Sequence, residues 1–582
     1  MSVVCEGVNV GTNGSPFNKT NQRTVVDRSP WAFFVIGICL WLLSIQSTGQ
    51  AAQRPGDHTI PQVATIDQEI WQGWQDYKLT PSAVAKDSEW CRRVYLDLIG
   101  RIPTIDELTI FEKDRPADRK LNLVNTLLHN DKYTEEYARN WTTIWTNVLI
   151  GRNGGNENRS LTNRQGMQKY LRDSFARNKS YDQMVVELIS AEGVNTPGMK
   201  NFNGAVNFLA NKLTENATLA TAQTTEIFLG MQVQCTQCHN HPFNEWKQAK
   251  FWEMNAFFRQ TVALRRFESG SRDIQFVELA NQDFAGEGSQ AQEAELYYEL
   301  RNGLLKVAYP VFVDGTAIGP SGYLRDVNRR LELAQLVVSS PYMPQAIVNR
   351  MWAHFLGYGF TKPVNDMGPH NTASHPELLA YLGKEFRSNS FDLKQLIQWI
   401  VLSKPYSLSS QMKRNNFRDD PELGEQPKFS HFYLRQMRAE ELYESLLVAT
   451  QAHKIQRSYQ EQEETKNRWL RQFIIAFGTD EGDETTTFNG TIPQALMLFN
   501  GDLMQRATSA DEGGFLNTIA TSKLTNAQKI QYLYRAGLAR RPSGREIGAA
   551  NQLLAARLGN TTAALQDVWW AILNSNEFIL NH

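Results

Sequence analysis

Apolar and aromatic side chains return every three to four positions along most of this chain, and that spacing permits little other than helix. In SEWCRRVYLDLIGRIPTIDELTIF, residues 88–111, Trp90, Val94 and Leu98 form one stripe, and Gly100 can end the helix that carries it. Thr104 and Glu107 then make a T-x-x-E box, a start signal for a second helix bearing Leu108 and Phe111. The same pattern runs through 119–150, 166–192, 216–231 and 244–258, and returns from Arg325 to the end. Between them, 262–325 mixes short alternating pieces (DIQFVEL, VAYPVFVDGTAI) with the polar stretch NQDFAGEGSQAQEAE, which predicts a few strands and a loop. The expected fold is mainly α, with helical domains over 66–260 and 326–582 joined by a small β-containing segment, 261–325. Polar loops are expected at 151–165, 419–428 and 480–487, and no fixed-period repeat is present.

A chain of 582 residues has room for about two to four domains. Its formal net charge of −1 gives no global attraction to nucleic acid or to an anionic membrane. Fourteen tryptophans invite a sugar-stacking reading, yet Trp90, Trp141 and Trp145 sit at helical spacing and read as core. Residues 31–45, WAFFVIGICLWLLSI, are unbroken apolar sequence preceded by Arg23 and Arg28 and followed by small residues to Ala52. That order describes a signal peptide over 1–52, or an uncleaved anchor, leading through a linker at 53–65. The expected location is outside the cytoplasm, in the periplasm or cell envelope, with membrane contact only through 31–45.

Removal of a leader would take away Cys5 and Cys39 and leave Cys91, Cys235 and Cys238, too few for a disulfide scaffold. The last two fall in FLGMQVQCTQCHNHPFNEW, with His239 directly after Cys238. In a c-type cytochrome such a Cys-x-x-Cys-His run holds haem: both sulfurs form thioethers and the imidazole ligates the iron. Other readings stay open. Cys235 and Cys238 can pair as a disulfide, hold zinc or another metal together with His241, or remain plain thiols. His241 lies too near His239 to reach the opposite face of one haem; it fits a non-haem metal ligand or a hydrogen-bonding corner residue before Pro242. Met254, His354, His370 and His375 are candidates for a sixth iron ligand. No βαβ pattern surrounds the cysteines, which disfavours thioredoxin-like chemistry.

A second cluster, NRMWAHFLGYGFTKPVNDMGPHNTASHPE at 349–377, is dense in polar residues and glycines. Convergence of Asp366, His370 and His375 would suit a metal-dependent hydrolase; the plainer expectation is an ordered loop, with Asn371 or Ser374 starting the helix PELLAYLGKEF. No H-E-x-x-H, G-x-S-x-G or P-loop run occurs. The acidic run DEGDE, 480–484, lacks calcium-loop spacing and reads as a solvated loop.

Long stretches of this sequence resemble planctomycete exported proteins made of two domains of unknown function, a cytochrome-c-like domain followed by its C-terminal companion. The first resemblance lies in WCRRVYLDLIGRIPTIDEL (90–108) and FLGMQVQCTQCHNHPFNEWKQAKFWEMNAFF (228–258). The second lies in 349–386, 391–410, LRQMRAEEL (434–442), TIPQALMLFNG (491–501) and LNSNEFILNH (573–582). The resemblance implies export and a motif-based link to haem c. Many relatives carry a further N-terminal cytochrome-c domain; here the leader runs almost directly into the first helical region. Relatives are often encoded beside an exported sulfatase-like protein, which implies such a partner, and polysaccharide handling, by association. The leading expectation is an extracytoplasmic haem-c-type protein working in redox chemistry or electron transfer, with Cys235 and Cys238 as anchors and His239 on the iron. The alternatives are a non-enzymatic envelope scaffold or polysaccharide-binding protein, in which the motif is a disulfide or metal knuckle, and the metal-dependent hydrolase.

Overall fold

The start signals read in the sequence act as written. Thr104 Oγ1 accepts the Glu107 amide at 3.2 Å while the Glu107 carboxylate accepts the Thr104 amide at 2.9 Å, and the helix Ile105–Lys113 follows. Just before it, the helix Asp87–Ile99 ends on Gly100, whose φ of +75° lets the chain turn away. The computed structural model describes residues 60–582 apart from 158, 289, 456–457 and, between 478 and 500, all but Gln494 and Met497. The leader with its 31–45 run, Cys5 and Cys39, most of the 53–65 linker and the 480–484 acidic run lie outside the described residues. No helix among the described residues is long and apolar enough to cross a membrane.

The fold is mainly α with small β elements, as expected. From Pro61–Asp76 the chain runs through the helices Arg119–His129, Asp131–Ile150, Arg164–Ala176, Tyr181–Ser190 and Thr214–Leu229. The pattern at 166–192 resolves into two helices because residues 177–180 turn the chain, with Asn178 at φ +50°. Strands follow in the 261–325 segment, where alternation was read, and one short strand before it, unread in the sequence, joins them. β1 (Gly193–Val194), β2 (Thr261–Phe267) and β3 (Ile274–Asn281) form an antiparallel sheet in the order β1-β3-β2. β4 (Leu296–Glu299) and β5 (Leu305–Ala308) make a hairpin, whereas Val311 and Ala317 share only an isolated bridge. Helices resume at Arg329–Ser339 and Tyr342–Leu356. A last short ladder pairs β6 (Arg435–Gln436) with β7 (Leu580–Asn581).

The larger apolar core draws from both sides of the β-containing segment. Trp90, Trp141 and Trp145 pack there with Trp352, Phe355, Phe386 and Ile397. A second core gathers residues from Met437 to Ile579 and takes in Leu96 and Ile102. The helix Asp87–Ile99 therefore feeds both. Its tryptophan is core, as its spacing predicted; of the described tryptophans, Trp71 and Trp570 are exposed.

The same helix buries three charges. Arg92 donates to the carbonyls of Phe578 (2.8 Å) and Leu580 (3.1 Å). Arg93 donates to the carbonyls of Tyr406, Leu408 (3.0 Å) and His582 (3.1 Å), and its guanidinium lies 3.6 Å from the centroid of the Phe432 ring. Asp97 is fully buried. It accepts Arg435 Nη2, Asn581 Nδ2 and Tyr406 OH, each at 2.7 Å. Burial pushes its carboxyl up, against the pull of Arg435 and Tyr406. Deleting one partner of such a buried ion pair leaves the other charge uncompensated. Asp97→Ala is expected to lower unfolding free energy by about 3–5 kcal/mol, and Asp97→Asn by less. Chemical unfolding followed by circular dichroism checks the order of the two variants.

Candidate functional site

The helix Thr214–Leu229 stops at Gly230, which turns the chain with φ +68° into the short 3-10 helix Gln234–Gln237. Buried Thr236 anchors this turn from within, its amide and hydroxyl both donating to the Val233 carbonyl at 2.9 and 2.6 Å. From the helix Gln248–Asn255, Gln248 Nε2 and Trp252 Nε1 donate to the Gln237 carbonyl at 3.1 and 3.2 Å. With Thr236 turned inward, Cys235 and Cys238 are left outward, exposed and unpaired. Partial burial, followed by the negative charge of Asp366, raises the Cys235 thiol above its ordinary value.

Hydrogen-bond polarity separates the two motif histidines. His239 Nδ1 lies 2.7 Å from the Asn240 carbonyl. A carbonyl only accepts, so Nδ1 carries the proton, and among the described residues no hydrogen bond engages Nε2. His241 is the reverse: its Nδ1 accepts the amides of Phe243 and Asn244, both at 3.2 Å, which places its ring proton on Nε2. His241 also ties the corner through its own amide to the Trp246 carbonyl at 2.7 Å. Its ring and its backbone amide together brace the corner around Pro242. Phe243 beside it is 77% exposed, unusual for a phenyl ring in an ordered corner.

The second cluster folds onto this corner. Buried Asn349 organises the loop after the Tyr342–Leu356 helix, donating to Thr361 Oγ1 and the Val364 carbonyl and accepting the Phe360 amide. Asn371 closes the loop by donating to the Asp366 carbonyl at 2.7 Å. The Met367 amide then binds the Gly230 carbonyl at 2.7 Å, Gln232 donates to Asn365 at 2.8 Å, and Asn365 donates to Glu226. A Cβ on Gly230 would fall 2.7 Å from Met367 Sδ, so the glycine serves both its backbone angle and this contact. His370 Nε2 lies 3.0 Å from Asp366 Oδ2, and its ring centroid is 5.3 Å from that of His241. Two sequence clusters more than a hundred positions apart thus make one surface. Nothing in their separate spacing announced it.

The remaining candidates are placed elsewhere. Met254 is fully buried in the larger core. His354 is half-buried, 5.1 Å from the Trp141 ring and 4.8 Å from Phe355. His375 packs beside Phe360 and Phe429, with Nδ1 3.0 Å from Ser374 Oγ. It makes no hydrogen bond, ion pair or ring contact with Asp366 or His370. His375 itself, rather than Asn371 or Ser374, precedes the helix Pro376–Ser388, because Pro376 supplies the helical φ without any side-chain cap. Among the described residues, no three His, Cys, Asp or Glu side chains are already gathered as a metal-binding group.

Residues 65–263 match the family PSCyt2, described as a protein of unknown function (DUF1549), and residues 329–554 match PSD1, described likewise (DUF1553). The chain carries both domains. No curated protein and no solved structure matches it. Cys235, Cys238, His239 and His241 belong to the DUF1549 domain, whereas Asp366 and His370 belong to the DUF1553 domain, so the surface described above is built by both.

His375 generates a test of its surroundings. Burial, helped by Lys428 and opposed by Asp419, lowers its pKa to about 4. A histidine depressed in the folded state stabilises fully above its unfolded pKa of about 6.5 and loses that contribution as pH falls toward 4. The contribution is at most about 3 kcal/mol. His375→Gln is expected to flatten this part of the stability profile, read as the difference in unfolding free energy between pH 7 and pH 4.

Proposed function

We propose that this protein is an exported haem-c-type protein that works in redox chemistry or electron transfer with an exported partner. Cys235 and Cys238 would hold the haem as thioethers and His239 would ligate its iron. One observation carries the reading: two unpaired, exposed thiols on a single clamped turn are followed at once by an imidazole whose Nε2 no hydrogen bond engages among the described residues. The donor set fits the group. The Asn240 carbonyl orients the His239 ring and raises the basicity of Nε2. Thr236, Gln248 and Trp252 hold the backbone between the thiols, so that attachment orders few new degrees of freedom. Exposed Phe243 offers apolar surface beside the site. Bound haem supplies a one-electron iron couple. Export rests on the 31–45 run and its flanks, and agrees with attachment outside the cytoplasm.

The test is an absorption spectrum of the full chain purified from a host with haem-attachment machinery, followed by denaturing electrophoresis and haem staining. A Soret band and a retained stain are expected, both lost in the Cys235→Ala/Cys238→Ala double variant. A colourless protein made beside a haem-positive control would overturn the reading and favour an envelope scaffold, with the motif as a metal or disulfide knuckle.

A further inference from the structure

We infer that the open edge of the β4–β5 hairpin docks an extended segment of another protein, one that alternates apolar, acidic and apolar residues and adds to β5 as a third strand. The inference is independent of the haem reading and stands whether or not haem is attached.

The two edges of this hairpin are unlike. The Leu300 amide donates to the Leu304 carbonyl at 2.9 Å and closes the hairpin, and Lys306 and Ala308 then face Tyr298 and Leu296. Antiparallel bonding alternates, so the N–H and C=O groups of Lys306 and Ala308 turn toward β4, and those of Leu305 and Val307 turn away. On the outer edge of β4 such groups are taken. The Tyr297 amide donates to Glu287 Oε2 at 2.8 Å, and the Glu299 carbonyl accepts Gln248 Nε2 at 2.9 Å. On β5 no hydrogen bond engages the outward groups of Leu305 or Val307 among the described residues. The side chains are open as well: Leu304, Leu305 and Val307 are 52%, 62% and 43% exposed. An open strand edge with exposed aliphatic side chains is what strand addition uses. Main-chain bonds give affinity, and alternate side chains give specificity.

Charge selects the occupant. Side chains alternate faces, so Leu305 and Val307 share one face with Tyr297 and Glu299, and Lys306 lies on the other with Tyr298. Lys306 is exposed and makes no ion pair among the described residues. A strand bonded to Leu305 and Val307 sets its middle residue opposite Lys306, where a carboxylate is complementary, and its flanking residues against the two aliphatic side chains. A second copy of this chain does not suit the edge. Using the same outward groups, it would pair Leu305 with Val307 and set Lys306 against Lys306, about 4.5 Å apart at Cα. Like charges directly opposite destabilise a sheet. The hairpin is also tied to the motif turn, because the Gln248 amide that meets Glu299 donates to the Gln237 carbonyl too. Two strand spacings, about 10 Å, separate a docked segment from β4.

The experiment uses the full-length protein and the synthetic peptide acetyl-Thr-Val-Glu-Val-Thr-amide at up to about 1 mM. It reads binding by calorimetry and backbone hydrogen exchange over residues 303–309 by mass spectrometry. The peptide is expected to bind and to slow exchange in that segment. The same peptide N-methylated on both valines, which cannot donate to the edge, is expected not to bind. Val307→Pro removes one outward N–H and no bond to β4, and is expected to abolish the protection. Lys306→Glu is expected to weaken binding at least about fivefold and to favour a peptide with Lys in place of Glu. Unchanged exchange over 303–309 in the wild type would overturn the inference. So would equal binding of the N-methylated peptide, since apolar adhesion needs no strand, and so would indifference to Glu or Lys in the peptide. Protection that rises with protein concentration in the absence of peptide would place a second copy on the edge and overturn it as well.

Discussion

One buried carboxylate holds the two family domains in register. Asp97 lies on the helix that feeds both apolar cores, and it accepts hydrogen bonds from Tyr406, Arg435 and Asn581 of the C-terminal region. Desolvation penalises its charge; three donors, one of them a guanidinium, oppose that cost. Its neighbours Arg92 and Arg93 extend the grip by donating to carbonyls between Tyr406 and His582. These contacts are directional, and apolar packing alone is not. They explain why the two cores meet along one helix rather than sliding over each other.

The candidate site inherits this registration. Its thiols stand on a turn held from within by Thr236, Gln248 and Trp252. The 360–371 loop reaches it from the other domain through the Met367–Gly230 and Gln232–Asn365 bonds. The motif brings two thiols and one imidazole, and the loop brings a carboxylate–imidazole pair.

Much of the local structure was legible in the residues. Apolar spacing marked Trp90, Trp141 and Trp145 as core; Gly100 and the Thr104–Glu107 box marked a helix end and the next start; alternation marked the β3 strand. These signals are short-range, set by the period of the backbone and by groups within four residues. The Cys-x-x-Cys-His corner was legible for the same reason. What the sequence did not reveal is long-range and polar. Arg92, Arg93 and Asp97 look like the wet face of an amphipathic helix, because a charge does not display its partner. Asp366 and His370 were grouped with His375 by nearness in sequence, but the fold ties them to His241 and leaves His375 among aromatic rings. Protonation pattern was equally hidden: His239 and His241 differ only in which backbone group each ring meets.

The Asp97 contacts carry a consequence for how such a chain can be divided and recombined. Its partners lie some three to five hundred positions downstream, past the join between the two family matches. A cut at that join would strand a desolvated carboxylate on one fragment and leave Arg435 without its counter-charge on the other. A chimaera assembled from two unrelated chains would meet the same penalty unless its new halves happened to restore the lock. The heritable unit is thus the pair of domains, and its seam lies inside the protein rather than in the stretch of chain between them.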